Sequence, residues 1–98
     1  MNAAVYILKC SDNSYYTGST RVSLELRIAQ HNEGSFGGYT ASRRPVVLAY
    51  SAQFDRIEDA IAAERRIKGW SRAKKEALIA GDMAQLKDLS RRTRKARE

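Results

Sequence analysis

The chain has 98 residues, which fits one domain and leaves no room for a second hydrophobic core. Its 18 lysine and arginine residues outnumber its 11 acidic residues, so the net charge of +7 indicates either a polyanionic partner or a solvated basic face. One cysteine excludes an internal disulfide, and no apolar run approaches the roughly 20 residues that span a bilayer, so we expect a cytoplasmic protein without a membrane partner.

The first predicted element is a β-hairpin. Residues 5–8 are apolar and β-rich, residues 11–14 carry side chains that favour turns, and residues 15–17 are again β-rich. Because side chains alternate along a strand, Tyr6 and Tyr16 share one face only if the connection has three or five residues or contains a bulge. The register therefore decides whether both phenols can serve one site.

A helix, a loop and a third strand follow. Apolar residues four apart predict a helix over about 23–32, with Arg27 and His31 one turn apart on an adjacent face. These two side chains could bind one phosphate, or they could lie on a hydrated surface. The glycines within 33–44 predict a mobile surface loop, and the apolar run 46–50 predicts a strand.

Three more helices are predicted, over about 55–68, 72–80 and 83–90. The basic tail 91–98 lacks apolar periodicity, so we expect a domain at 1–90 followed by a frayed, flexible tail. The elements together predict an α+β fold with a small three-stranded, mainly antiparallel sheet flanked by helices. The residues expected in its core include Val5, Ile7, Leu48, Ile61 and Ile67.

Glu64 interrupts the apolar face of a predicted helix. Ile57, Ile61 and Ile67 recur at helical spacing on the face that also carries Glu64, so the pattern directs a carboxylate inward. A buried carboxylate must be hydrogen-bonded, paired with a cation or bound to a metal. An ordinary salt bridge, to Lys68 one turn later or to an arginine in the core, is the alternative that periodicity alone favours.

The stretch from residue 65 to residue 75 contains six basic residues and no acidic residue, and Trp70 interrupts it. This combination is typical of a surface that follows a phosphate backbone, although a solvated face with Trp70 in the core would look similar. The side chains expected to contact nucleic acid are Arg43, Arg44, Arg65, Lys68, Arg72, Lys74 and Lys75.

The motifs of the chain, in their order, resemble those of the GIY-YIG nuclease superfamily over roughly residues 3–86. They are Ala4-Val5-Tyr6, Tyr16-Thr17-Gly18, Arg27 with His31, Thr40 with Arg43-Arg44-Pro45, and Glu64 followed by Ile67-Lys68 and Ser71-Arg72. The chain looks closest to the small stand-alone members. It departs from the pattern at Ser19, where many members have a lysine that His31 or Lys9 could replace, and in having no asparagine after Asn32.

The resemblance implies that the chain hydrolyses DNA phosphodiester bonds with one Mg²⁺ or Mn²⁺ held by Glu64. Arg27 is then expected to bind a phosphate oxygen. Tyr6 is expected to deprotonate or orient the attacking water, assisted by His31 or Tyr16. A phenol is a weak acid, so this role needs the charges of Arg27 and the metal to lower its pKa.

Two other functions remain open. A module of the same fold could bind nucleic acid without cutting it, and Ser19 favours this alternative. The metal-dependent endonuclease is favoured by the joint presence of five residues, which we call the catalytic set. A helix-turn-helix regulator built from the last two helices is disfavoured by the strand-rich first half of the chain. The catalytic set consists of Tyr6, Tyr16, Arg27, His31 and Glu64.

Overall fold

A computed structural model describes residues 3–97, with side chains described as far as Arg91. These residues form a three-stranded antiparallel sheet and five helices, which confirms the predicted α+β fold. The chain divides into two compact units, one ending at Lys68 and the other beginning at Gly69. The grouping of residues 1–90 into one domain with a separate flexible tail stays a prediction. No helix in the described part of the chain is long and apolar enough to cross a membrane.

The sheet has the order β2-β1-β3, so that β1 is central. A connection of five residues, 10–14, joins β1 to β2, as a shared face for the two tyrosines requires. Tyr6 lies opposite Gly18, and Leu8 lies opposite Tyr16. Both tyrosine side chains therefore lie on the same face of the sheet. The three strands are β1 (Ala3–Lys9), β2 (Tyr15–Thr20) and β3 (Val47–Phe54).

Three helices complete the first unit: α1 (Leu24–Glu33), α2 (Gly38–Ala41) and α3 (Ile57–Lys68). Helix α1 begins after Ser23, whose side chain accepts a hydrogen bond from the Leu26 amide. It ends at Gly34, whose left-handed backbone (φ 78°) suits glycine. Helix α2 lies inside the stretch that was predicted as a loop. Helix α3 packs on β1 and β2 and thereby brings its inward face to the sheet.

Two helices form the second unit, α4 (Arg72–Ala80) and α5 (Met83–Arg97), and they pack on each other. Ser71 and Asp82 cap them, because their side chains accept hydrogen bonds from the backbone amides three residues later. The predicted end of the last helix at residue 90 is wrong. The helix continues to Arg97 because the basic residues and alanine of this segment are good helix formers.

The core prediction is confirmed for Val5, Ile7 and Ile67, which are buried, while Ile61 is half-buried. It is wrong for Leu48, which is 42% exposed. Strand β3 lies at the edge of the sheet, and its pairing with β1 shifts register next to the partner of Leu48. Val46, just before the strand, takes the buried position instead. Val46 packs in a cluster with Tyr6, Leu8 and Cys10.

Candidate active site

A buried hydrogen-bonded chain runs from β1 through α1 to α2. The Tyr6 hydroxyl and His31 Nε2 are 2.9 Å apart, and His31 Nδ1 is 2.9 Å from Thr40 Oγ1. All three residues are buried. Each nitrogen of the imidazole therefore has one fixed partner, which holds the ring in a single orientation toward the phenol.

Tyr16 joins this chain through ring contacts. Its ring centroid lies 5.2 Å from that of His31 and 6.5 Å from that of Tyr6. Tyr39 stacks on its outer side at 6.2 Å, and Phe36 lies 4.7 Å from His31. Tyr6, Tyr16 and His31 thus form one aromatic cluster. The half-exposed rings of Phe36 and Tyr39 lie at its border.

Gly18 makes the close approach of Tyr6 to β2 possible. A Cβ atom at this position would lie 2.5 Å from the Tyr6 hydroxyl oxygen and 2.6 Å from the ring carbon that carries it. No side chain larger than hydrogen fits there without displacing the ring. The glycine of the Tyr16-Thr17-Gly18 motif is therefore required by packing against the phenol.

Arg27 is oriented by a strand residue and an aromatic ring. Its Nε donates a hydrogen bond of 3.1 Å to Thr20 Oγ1, and its guanidinium carbon lies 4.7 Å from the centre of the Phe36 ring. Thr20 is buried and lies on the same face of β2 as Tyr16 and Gly18. These contacts hold the half-buried guanidinium beside the cluster.

Glu64 reaches the sheet from α3 through two contacts. Its Oε1 accepts a hydrogen bond of 2.5 Å from Ser19 Oγ, and its Oε2 lies 2.7 Å from Lys68 Nζ. Its side chain is 18% exposed, so the inward direction predicted from periodicity is confirmed. The salt bridge to Lys68 that was considered as an alternative is present as well. Lys68 also places its ammonium 5.9 Å from the centre of the Tyr16 ring.

The charges of the cluster act on the Tyr6 phenol and the His31 imidazole. Burial raises the pKa of Tyr6 well above its usual value, the Tyr16 phenol and Glu64 raise it further, and Arg27 opposes them. Burial also lowers the pKa of His31, and the Arg27 guanidinium lowers it further. The charge of Arg27 alone does not lower the pKa of Tyr6, because desolvation outweighs it, and the expected lowering by Arg27 together with a metal stays a prediction. At neutral pH the phenol is protonated and the imidazole is neutral.

A divalent cation would find one carboxylate in this cluster. Among the described residues, no group of three or more histidine, cysteine or acidic side chains could hold a metal ion. Glu64 nevertheless suits Mg²⁺ or Mn²⁺, since its carboxylate is partly exposed and its Oε2 faces a side chain that is half exposed. Magnesium often uses one or two carboxylates and keeps several waters.

The ammonium near the cluster comes from a different lysine than expected. Lys9, a candidate replacement for the lysine missing at Ser19, is exposed and lies opposite Tyr15, away from Tyr6. The side chain of Lys9 lies on the opposite face of β1 from that of Tyr6. Lys68 instead brings an ammonium to Glu64 and Tyr16. The spacing of four residues between Glu64 and Lys68 was the signal for this contact.

The basic residues of the first unit differ in their contacts. Arg43 pairs with Asp12 at 3.0 Å and covers the Tyr39 ring at 3.8 Å. Arg44 donates hydrogen bonds to backbone carbonyls of the 32–41 region. Arg65 is exposed on α3. Both Arg43 and Arg44 therefore have structural contacts, and the role of these side chains in nucleic-acid binding stays a prediction.

Three predicted contact residues lie in the second unit, on α4. Arg72 pairs with Glu76 at 3.1 Å, and the Lys74 ammonium lies 5.4 Å from the centre of the Trp70 ring. Lys75 is half-buried. The predicted contact of these side chains with nucleic acid also stays a prediction.

Sequence reasoning missed several supporting residues. Thr20 could have been found, because it alternates with Tyr16 and Gly18 along β2 and so shares their face. Phe36 and Tyr39 gave no signal, since a glycine-rich stretch has no periodicity from which a direction can be derived.

The sequence matches the GIY-YIG catalytic domain over residues 2–77. This range contains the tyrosine and histidine cluster, Arg27 and Glu64. The chain therefore belongs to the GIY-YIG nuclease superfamily, whose members act on nucleic acid.

The chain is similar to the small UPF0213 proteins within this superfamily. It is 47% identical to a UPF0213 protein of Halobacterium salinarum, over 76% of this chain and 96% of that protein. It is 49% identical to one from Staphylococcus haemolyticus, over 76% and 90%. The solution structure of a UPF0213 protein from Bacillus halodurans matches with a TM-score of 0.53 and 41% identity, covering 82% of this chain and 84% of that one.

Proposed function

We propose that this chain is a divalent-metal-dependent endonuclease that hydrolyses DNA phosphodiester bonds, and that it acts in the cytoplasm. The observation that carries the proposal is the meeting of four chemical groups at Tyr6. Its hydroxyl lies 2.9 Å from His31 Nε2, and Phe36 holds the Arg27 guanidinium beside the same imidazole. Glu64 contacts Ser19, the neighbour of the Gly18 that lies opposite Tyr6. A platform that only binds nucleic acid does not need this combination of phenol, imidazole, guanidinium and carboxylate.

Tyr6 and His31 are suited to guide the attacking water and remove its proton. If His31 Nδ1–H donates to Thr40, Nε2 is left to accept the Tyr6 hydroxyl proton. The phenol oxygen can then take a proton from water while its own proton passes to the imidazole, so no separate phenolate is needed. This relay agrees with the raised pKa of Tyr6 and the lowered pKa of His31.

Arg27 and Glu64 serve the phosphate. The Arg27 guanidinium, oriented by Thr20 and Phe36, would bind a non-bridging oxygen, on which negative charge grows during attack. Glu64 would hold Mg²⁺ or Mn²⁺. When bound, the cation supplies Lewis-acid stabilisation of the leaving oxygen and of the phosphate charge.

Glu64→Gln tests the proposal, because it keeps the size of the side chain and removes the charge that recruits a cation. We expect cleavage to fall by several orders of magnitude while DNA binding persists or improves. The paired ammonium of Lys68 is half exposed, so losing an ion pair spaced by four residues should cost only about 0.3–0.5 kcal/mol. Activity and stability should therefore separate.

The measurement uses labelled linear, flapped and branched DNA, with RNA strands in parallel, in Mg²⁺, Mn²⁺ or chelator. Glu58→Gln is the matched control, since Glu58 lies on the same helix in an exposed ion pair with Arg56. It should cleave like the natural chain. A Glu64→Gln variant that melts early but retains metal-dependent cleavage would show that Glu64 is a structural residue.

A binding module without cleavage remains the second candidate. The Glu64–Lys68 ion pair favours it, because this contact neutralises the carboxylate without any metal. In that case every variant and the natural chain would bind labelled DNA and leave it intact under all metal conditions.

A further inference from the structure

The ammonium of Lys68 contacts Oε2 of Glu64, which is the carboxylate oxygen that a metal ion would bind. Its Nζ lies 2.7 Å from Oε2, while Oε1 is taken by the Ser19 hydroxyl. Magnesium binds carboxylate oxygens at about 2.1 Å. A metal on Oε2 would therefore lie only a few ångströms from the ammonium, where the two positive charges repel each other. Lys68 and a divalent cation must compete for this oxygen.

Lys68 is able to leave Glu64 and remain at the cluster. Its side chain is 50% exposed, against 18% for Glu64, and it ends a flexible four-carbon stem. The ammonium already lies 5.9 Å from the centre of the Tyr16 ring. An ammonium released from the carboxylate can therefore remain within reach of a phosphate beside Tyr16.

We propose that Lys68 couples metal loading to nucleic-acid binding: the divalent cation displaces the ammonium from Glu64, and the released ammonium binds a phosphate of the substrate beside Tyr16. The inference rests on the proposed function, because it takes Glu64 as the metal ligand. Coupling of this kind is reciprocal, so bound nucleic acid strengthens metal binding by the same factor. The protein then holds its metal tightly only when substrate is present.

The first test measures metal binding to the full chain without DNA, from the manganese signal in electron paramagnetic resonance. Lys68→Met removes the competing charge, so Mn²⁺ should bind about 5-fold more tightly or better. Lys68→Arg keeps a cation next to Glu64 and should stay near the natural affinity. Arg66→Met is the matched control, since it removes the same charge from an exposed position of α3 and should change the affinity by less than about 2-fold.

The second test measures DNA binding by fluorescence anisotropy, with Ca²⁺ as the divalent cation or with chelator, and a gel verifies that the DNA stays intact. In the natural chain, Ca²⁺ should increase DNA affinity by about 5-fold or more, because Lys68 is released. This gain should be largely lost in Lys68→Met and retained in Arg66→Met. With chelator present, Lys68→Met should bind DNA almost as well as the natural chain, since Glu64 holds the ammonium there.

The outcomes distinguish this inference from the proposed function. Equal Mn²⁺ affinity in the natural chain and Lys68→Met would overturn the coupling, while loss of Mn²⁺ binding in Glu64→Gln would leave Glu64 as the ligand. If Glu64→Gln retained both Mn²⁺ binding and cleavage, the ligand assignment and the coupling would both be wrong. Thermal melting identifies any variant that has unfolded, and a destabilised Lys68→Met is replaced by Lys68→Gln, for which the same results are expected.

Discussion

The position of the Tyr6 phenol depends on the absence of a side chain at Gly18. In Gly18→Ala, the new methyl group would lie 2.5 Å from the Tyr6 hydroxyl oxygen, so the ring must shift and its hydrogen bond with His31 must change. We expect the free energy of unfolding to fall by about 1–3 kcal/mol, as in other overpacked sites. Cleavage should fall further than the loss of folded protein explains.

Urea unfolding, cleavage assays and the NMR signals of the His31 ring check this prediction. Gly81→Ala is the control: its backbone is left-handed (φ 72°), but no atom lies within 4 Å of the added methyl group. It should lower stability by backbone strain and leave the His31 signals unchanged. Unchanged His31 signals in Gly18→Ala would contradict the tight packing of the phenol.

His31 should make both folding and cleavage sensitive to mild acid. Burial and then Arg27 lower its pKa in the folded chain, from the ordinary value of 6.5 that applies after unfolding. The unfolded chain therefore binds the proton more readily, so stability present above about pH 6.5 is lost as the pH falls through this value. Cleavage should decline only below the lowered pKa, where an imidazolium can no longer accept the proton of Tyr6.

Urea unfolding between pH 5 and pH 8, with His31→Gln as the comparison, measures the first effect. The stability advantage of the natural chain over the variant should shrink toward the acid end of this range. NMR titration of the ring gives the pKa directly. Titration of His31 at or above 6.5 in the folded chain would refute the prediction.

The side-chain amide of Asn32 connects α1 to the residue that precedes β3. Asn32 Nδ2 donates to the Val46 carbonyl at 3.1 Å, and its Oδ1 accepts from the Val46 amide at 2.7 Å. Asn32 thus satisfies both backbone groups of a buried residue that precedes the strand. The end of the helix that carries His31 is in this way joined to the sheet.

Asn32→Ala should lower the free energy of unfolding by about 1–3 kcal/mol, because it leaves two buried backbone groups without their partner. Asn32→Asp keeps the acceptor and loses the donor, so we expect an intermediate loss. Glu33→Ala, at the exposed neighbouring position, should stay within about 0.5 kcal/mol of the natural chain. Equal stabilities of Asn32→Ala and Glu33→Ala in chemical unfolding would show that water replaces the amide at no cost.

For the whole molecule, net charge predicts how binding responds to salt. Residues 91–98 contain five basic residues and one acidic residue, so removing them lowers the formal charge from +7 to +3. We expect the deletion to weaken DNA binding and to reduce its salt slope by a few units at most. Cleavage at saturating DNA should not change. Binding that is unaltered at both low and high salt would mean that this charge serves another purpose.

Because α5 continues to Arg97, the deletion also shortens a helix. A second variant separates charge from helix length by replacing the basic residues with glutamine, which is a comparable helix former. The positions replaced are Arg92, Arg94, Lys95 and Arg97, whose side chains lie outside the described residues. Their contribution to DNA binding stays a prediction of the sequence until both variants give the same salt slope.

Features that depend on neighbouring residues along the chain could be predicted from the sequence. Strand and turn propensities predicted the hairpin, and alternation gave the condition under which its two tyrosines share a face. Helical spacing predicted that Glu64 points inward and that Lys68 lies one turn away. The predicted starts of α1 and α4 agree with the structure, where Ser23 and Ser71 cap the two helices through local hydrogen bonds. The order of the motifs was enough to indicate the superfamily.

Features that depend on groups far apart in the chain could be seen only in the folded structure. His31 has two hydrogen-bond partners, Tyr6 and Thr40, which come from separate elements. No spacing rule predicts that they meet around one imidazole ring. Burial raises the pKa of Tyr6 although Arg27 opposes it, and only the folded arrangement sets the balance. Leu48 is exposed because its strand lies at an edge next to a register shift. Desolvation and packing are properties of the assembled neighbours, and a local pattern does not contain them.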